Sequence, residues 1–270
     1  MTTPPPSDVR VKPTVGIALA VFLGYAAIMF VMWTVNDVDY GSVQDSTEQA
    51  VDGIVVPVAV GSVFLIIATT ALGWWRPAIS EGRRNAPRWM LLAPVLFGLG
   101  GLATVLGSDF GAIATNQIVA IIAGVALVGF AEELVCRGVL VVGARGRGGE
   151  IFVWFFTCLM FGFLHAINAF FGQSVAQTGL QIVMAFLFGS IFYVSRRVTG
   201  TIVLGMMIHA LWDAGSLLSD ATDSADAVGP SIGGVLGPIG MILAVAALFT
   251  IFKYERDGTR VLKANTSQTE

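Results

Sequence analysis

Apolar residues fall in long runs repeated along the whole chain, with short polar segments between them. A helix that crosses a bilayer needs about 20 mostly apolar residues. Runs of that kind lie at Thr14–Val35, Ile54–Trp75, Met90–Leu106, Ala112–Val142, Ile151–Phe171, Thr178–Val194, Thr201–Leu218 and Ile232–Phe252. The pattern predicts an all-α fold, a polytopic transmembrane bundle of about eight helices. The fourth run is long enough to tilt or to extend past the bilayer core, and the third and sixth are short. The first run spans without a small-residue cleavage site and reads as a retained helix. Residues 1–13, with Pro4, Pro5 and Pro6, are expected to be a disordered cytoplasmic segment. Residues 14–252 form the membrane domain, and residues 253–270 a polar cytoplasmic tail. The chain shows no internal repeat and no separate soluble domain.

Composition agrees. Of 270 residues, 55% are hydrophobic and 12% charged, about half the charge usual in soluble domains. An ordinary soluble fold is thereby excluded, and no long basic stretch exists to bind nucleic acid. Cys136 and Cys158 both sit in apolar runs and read as packing residues. The placement of charge says more than the net of −3. Lys and Arg favour the cytoplasmic side of short loops. With the N-terminus inside, the inner segments hold Arg10 and Lys12; Arg76, Arg83, Arg84 and Arg88; Arg145 and Arg147; Arg196 and Arg197; and Lys253, Arg256, Arg260 and Lys263. The outer segments hold Asp37, Asp39, Asp45, Glu48, Asp52, Asp109, Asp220, Asp223 and Asp226, with no Lys or Arg. This alternation predicts a multi-pass cell-membrane protein with both termini in the cytoplasm. Trp74, Trp75, Trp89 and Trp154 fall near inner helix ends, where amphipathic rings favour the interface.

Few ionisable groups interrupt the runs. The fourth has Glu132, Glu133 and Arg137 in FAEELVCRG, the fifth His165, and the seventh His209 and Asp213; these are the only two histidines. A charge at a helix centre costs roughly 2.5–3.5 kcal/mol on insertion scales, so such groups must pair or face water. Ser, Thr or Asn could make mere packing contacts at lower cost. Glu133 and Arg137 stand four apart with the acid first, the favoured order for a helical ion pair. Glu132 projects about 100° away from Glu133 and is left for chemistry. His209 and Asp213 share one face. At about 1.5 Å per residue, Glu132, His165 and His209 reach similar depth, as a shared cavity requires.

A carboxylate and two imidazoles from separate helices suit hydrolysis in two ways. Glu132 and a His could activate water as a general base, with the second His and Asp213 stabilising the oxyanion or a leaving group. Alternatively, His165, His209 and one of Glu132 or Asp213 could hold zinc with a fourth position open to water. Ligand supply favours the zinc site slightly, although no His–His pair lies on one helix. No Ser or Cys nucleophile is paired with a base, and neither H-E-x-x-H nor G-x-S-x-G occurs.

These residues resemble the CPBP intramembrane proteases, which include the eukaryotic CAAX prenyl endopeptidase Rce1 and the bacterial bacteriocin-immunity (Abi) proteins. The family pattern is E-E-x-x-x-R, F-x-x-x-H, then H-x-x-x-N or -D on successive helices. It reads here as Glu132 to Arg137, Phe161 to His165 and His209 to Asp213, across roughly 112–218. Each motif alone is weak, and the three in order are specific. The resemblance implies a membrane endopeptidase, by name a metalloprotease though a metal-free mechanism is also proposed, with its cavity open toward cytoplasm and lipid. It implies that Glu132 activates water with His165, and that His209 with Asp213 stabilises the oxyanion. A carboxylate donates no hydrogen bond unless protonated, so Asp213 is better suited to orient His209 or to ligate a metal. Phe161 could equally be an ordinary packing or lipid-facing aromatic.

The leading expectation is therefore hydrolysis of membrane-anchored, CAAX-like or small hydrophobic peptide substrates within the bilayer. A non-catalytic immunity or sensor protein could carry the same polar cluster. A proton-coupled transporter could too, but it would be expected to show broken helices and repeated halves.

Overall fold

A computed structural model of the chain describes residues 9–81 and 87–266, with side chains as far as Lys253. Arg83, Arg84, the first eight residues and the side chains of Arg256, Arg260 and Lys263 lie outside the described part. Seven helices are long and apolar enough to cross a membrane: α1 Val15–Val35, α2 Thr47–Leu72, α3 Arg88–Gly107, α4 Thr115–Arg145, α5 Glu150–Phe170, α6 Val175–Thr199, and Val228–Lys253, the span within α8 Val228–Thr266. The eighth expected span is α7 Val203–Ala221. His209, Asp213 and Asp220 lower its mean hydropathy, yet it packs against α4, α3 and α6. Among the described residues there is no strand, only a single bridge between Ser80 and Thr201. The protein is an all-α, multi-pass membrane bundle. Cys136 and Cys158 are free and buried.

Local chemistry sets several helix ends. The Thr14 hydroxyl accepts from the Ile17 amide, satisfying one of the unpaired donors at the start of α1. Ser174 and Gln177 form a reciprocal capping box at the start of α6. Gly73 ends α2 and Gly200 ends α6 in the left-handed region, which glycine enters without a Cβ clash.

Two boundaries differ from the sequence reading for physical reasons. Helix α2 begins at Thr47, before the apolar run, because Ser46 caps it and a π-helical stretch at Val51–Val55 carries the chain past Asp52. Helix α6 continues through Arg196 and Arg197 to Thr199 because ion pairs bury those charges instead of leaving them in a loop. Arg10 and Val11, within the segment expected to be disordered, donate their amides to the Leu72 carbonyl, and Val11 accepts from the Trp74 indole.

The ion pairs gather where α4, α5 and α6 meet the connector after α2. Glu81 accepts from Arg145 at 2.6 Å and Arg196 at 2.9 Å through one oxygen, and from Arg197 at 3.1 Å through the other. Glu150 pairs with Arg145 at 2.9 Å and Arg197 at 3.6 Å, and it takes a hydrogen bond from Tyr193. Arg196 is fully buried and also donates to the carbonyls of Pro77, Ala78 and Arg137. Buried charges survive only with such complete pairing. The cluster fixes that end of the bundle and anchors the middle of α4.

Candidate active site

The sequence-predicted residues come from α4, α5 and α7, and all four catalytic candidates line one cavity of about 550 Å³. Helix α4 is regular through Glu133 and then widens into a π-helical stretch at Leu134–Leu140. Such irregularities concentrate at functional sites. This one directly follows the two glutamates. Helices α4 and α7 approach closely because both present glycine. A Cβ on Gly129 would stand 2.5 Å from the Met206 carbonyl oxygen, and one on Gly205 would stand 2.9 Å from a Glu133 carboxylate oxygen. The missing side chains let the carboxylates of α4 reach the imidazole of α7.

His209 is 5% exposed and sits among three carboxylates. Its Nε2 is 3.4 Å from Asp213 Oδ2 and 3.9 Å from Glu132 Oε2, while its Nδ1 is 3.5 Å from Glu133 Oε1. Both ring nitrogens thus face acceptors, which suits the ring to donate. Its plane stacks on Phe192, with centroids 4.8 Å apart, and meets Phe161 edge-on at 5.5 Å. Glu132 Oε2 is buried without a hydrogen-bond partner among the described residues. An orphaned carboxylate oxygen aimed at a polar cavity is costly unless water or substrate completes it.

His165 stands where α5 tightens into a 3-10 turn spanning His165–Phe170. Its Nδ1 is 3.0 Å from the Phe161 carbonyl. A carbonyl only accepts, so Nδ1 carries the hydrogen and Nε2 keeps its lone pair. Glu133 and Arg137 form the expected ion pair at 2.9 Å, both fully buried. The guanidinium lies over the Phe161 ring at 4.1 Å and near the Phe192 ring at 5.0 Å, contacts that offset part of its desolvation.

Phe161 is therefore no lipid-facing aromatic. It is 2% exposed and touches Arg137, His165 and His209 at once.

The zinc expectation concerns His165, His209 and one of Glu132 or Asp213. Among the described residues, no three His, Cys, Asp or Glu side chains converge closely enough to hold a metal ion.

Residues 114–215 match the family model described as Type II CAAX prenyl endopeptidase Rce1-like. That segment of the chain is similar to the Rce1-like family. It takes in α4, α5 and α6 and most of α7, hence every site residue named above. Comparison with curated proteins and with solved structures returns no match.

Helices outside the matched segment also reach the cavity. Tyr25 of α1 lines it and is 1% exposed, and its hydroxyl has no hydrogen-bond partner among the described residues. The sequence signal for it was a tyrosine inside an otherwise apolar run. Trp212, on the turn after His209, stacks on Phe97 of α3 with centroids 4.3 Å apart and also lines the cavity. Tyr40 lies in the connector after α1, where burial pushes its hydroxyl up to about 12, so it stays neutral at physiological pH.

The cavity mouth bears on one implication of the family resemblance. Its rim includes Tyr40 and Gln44 between α1 and α2, Gln173 between α5 and α6, and Asp220 at the end of α7. These belong to the segments without Lys or Arg. A cavity open to the cytoplasm and an N-terminus in the cytoplasm are therefore incompatible in this fold.

Proposed function

We infer that the chain is an intramembrane endopeptidase that hydrolyses a peptide bond with a water activated directly by Glu132. Glu132 accepts a proton from water, and the oxygen attacks the scissile carbonyl carbon. His165, with its Nε2 lone pair, accepts the water's other hydrogen as a hydrogen bond and helps aim the attack. The carbonyl electrons move onto oxygen, where the N–H of His209 stabilises the negative charge. Asp213 and Glu133 hold that ring from either side. As the C–N bond breaks, Glu132 returns its proton to the departing amine. Asp213 acts here as an orienting acceptor, in keeping with a carboxylate that has no proton to donate. No step passes through a metal. Both termini are assigned to the cytoplasm on the distribution of Lys and Arg.

The observation that carries this reading is the convergence of Glu132 and His209, 3.9 Å apart, on one cavity inside an Rce1-like domain. The test is purified protein in nanodiscs with internally quenched hydrophobic peptides. Wild-type protein should cleave, and Glu132→Gln should lose about 10²–10⁴ of the rate. Tight peptide binding without cleavage by the wild type would instead support the immunity or sensor reading.

A further inference from the structure

The cavity's chemistry says which peptides it can hold. No Lys or Arg is among its lining residues, whereas Glu132, Asp213 and Asp220 are. Asp45 adds a fourth negative charge acting on Asp220. Between the reacting groups and the mouth stand five side-chain amides, on Gln44, Asn168, Gln173, Gln177 and Gln181. An amide offers both a donor and an acceptor, as a peptide main chain does. Two of them form a relay: Asn168 donates to Gln181 at 2.8 Å, and Gln181 donates to the Tyr40 hydroxyl at 2.8 Å. Neutral Tyr40 then retains its own hydrogen for a bound chain. Apolar Met29, Trp33, Met184 and Phe188 supply the remaining walls.

A peptide ending in a free carboxylate close to the scissile bond would find no cation here and several like charges. Juxtaposed like charges cost several kcal/mol. An internal segment with neutral or basic side chains meets matching amides and carboxylates. The mouth also opens among the loops without Lys or Arg, on the face opposite the Glu81–Arg196 cluster.

We propose that the site takes an internal, extended, neutral or basic peptide segment presented from the extracytoplasmic side, gripped along its main chain by the amide-lined mouth. This rests on the peptidase reading. The same site therefore excludes substrates that must dock through a nearby C-terminal carboxylate.

The experiment uses four quenched peptides with one common core: a C-terminal amide, a free carboxylate three residues from the scissile bond, flanking Lys, and flanking Glu. The full chain is assayed in nanodiscs, and the amide peptide is then supplied to right-side-out and inverted vesicles. The amide and Lys peptides should be cleaved at least about tenfold faster than the carboxylate and Glu peptides, and only right-side-out vesicles should cleave an impermeant peptide. Asp220 is exposed, so Asp220→Lys should fold, and it should narrow the preference for Lys over Glu. Equal or faster cleavage of the carboxylate peptide, or cleavage confined to inverted vesicles, overturns the proposal and leaves the peptidase reading standing. Cleavage of none of the four overturns both.

Discussion

Glu133 faces Nδ1 of His209 at 3.5 Å with the same oxygen that pairs with Arg137 at 2.9 Å. The second glutamate of the pair is thus more than a counterion. It links the buried cation to the imidazole and so joins the structural half of the site to its reacting half. Removing it affects both.

Glu133→Gln should lower stability by about 3–5 kcal/mol, because it leaves Arg137 buried without its charge partner. Glu132→Gln should melt within a few degrees of wild type, since no ion pair to Arg137 depends on it. Thermal unfolding in detergent separates the two. The division of roles fails if both variants lose stability equally, or if Glu132→Gln keeps full activity.

The glycines between α4 and α7 make a steric prediction. A methyl group at Gly129 would meet main chain, which cannot swing aside, whereas at Gly205 it would meet a carboxylate, which can shift. Gly129→Ala should cost about 1–3 kcal/mol and about 10² in rate, because a displacement near 1 Å suffices for that loss. Gly205→Ala should be milder in melting yet still slow the reaction by disturbing Glu133. The melting temperatures and kcat of the two variants check this ordering.

Tyr25→Phe removes a buried hydroxyl that bonds to nothing among the described residues. Its melting temperature should equal or exceed that of wild type, because no intramolecular hydrogen bond is lost. Its kcat should fall about tenfold or more if the hydroxyl contacts the reacting atoms. Unchanged kcat would make Tyr25 a wall residue only.

Dialysis against a strong chelator should leave activity intact, and metal content in the purified protein should stay well below one equivalent. Activity lost to chelator and restored by zinc would show that His165, His209 and a carboxylate draw together around an ion. His165→Ala and His209→Ala would then each lower metal content as measured by mass spectrometry.

Much of this architecture was legible in the chain. Each of the eight apolar runs lies in a helix, seven of them long and apolar enough to cross a membrane and the eighth being α7. Glu132, Glu133, Arg137, His165, His209 and Asp213 stood out because ionisable groups are costly in apolar helices. What escaped depends on distant partners. Arg196 looked like a marker of the inner loop, but Glu81, far back in the chain, makes it a buried brace. The widening of α4 after Glu133 has no local signature, since tertiary packing selects it over a regular helix. Tyr25 joins the site only because α1 folds back against α4. The side on which the cavity opens depends on which half of each helix faces inward, and an apolar run of one helix length does not record that.

The clamp of Arg145, Arg196 and Arg197 on Glu81 and Glu150 has a kinetic consequence. None of those residues lines the cavity, whereas the connector residues Tyr40, Gln44 and Gln173 at the other end of the bundle do. Fragments of a cut peptide that leave past those connectors retrace the route of the intact one. Each fragment still carries main chain that the rim amides can hold, so departing products compete with arriving substrate. Turnover should therefore slow as products accumulate, in a competitive pattern, and fragment escape becomes a candidate for the slowest step of the cycle.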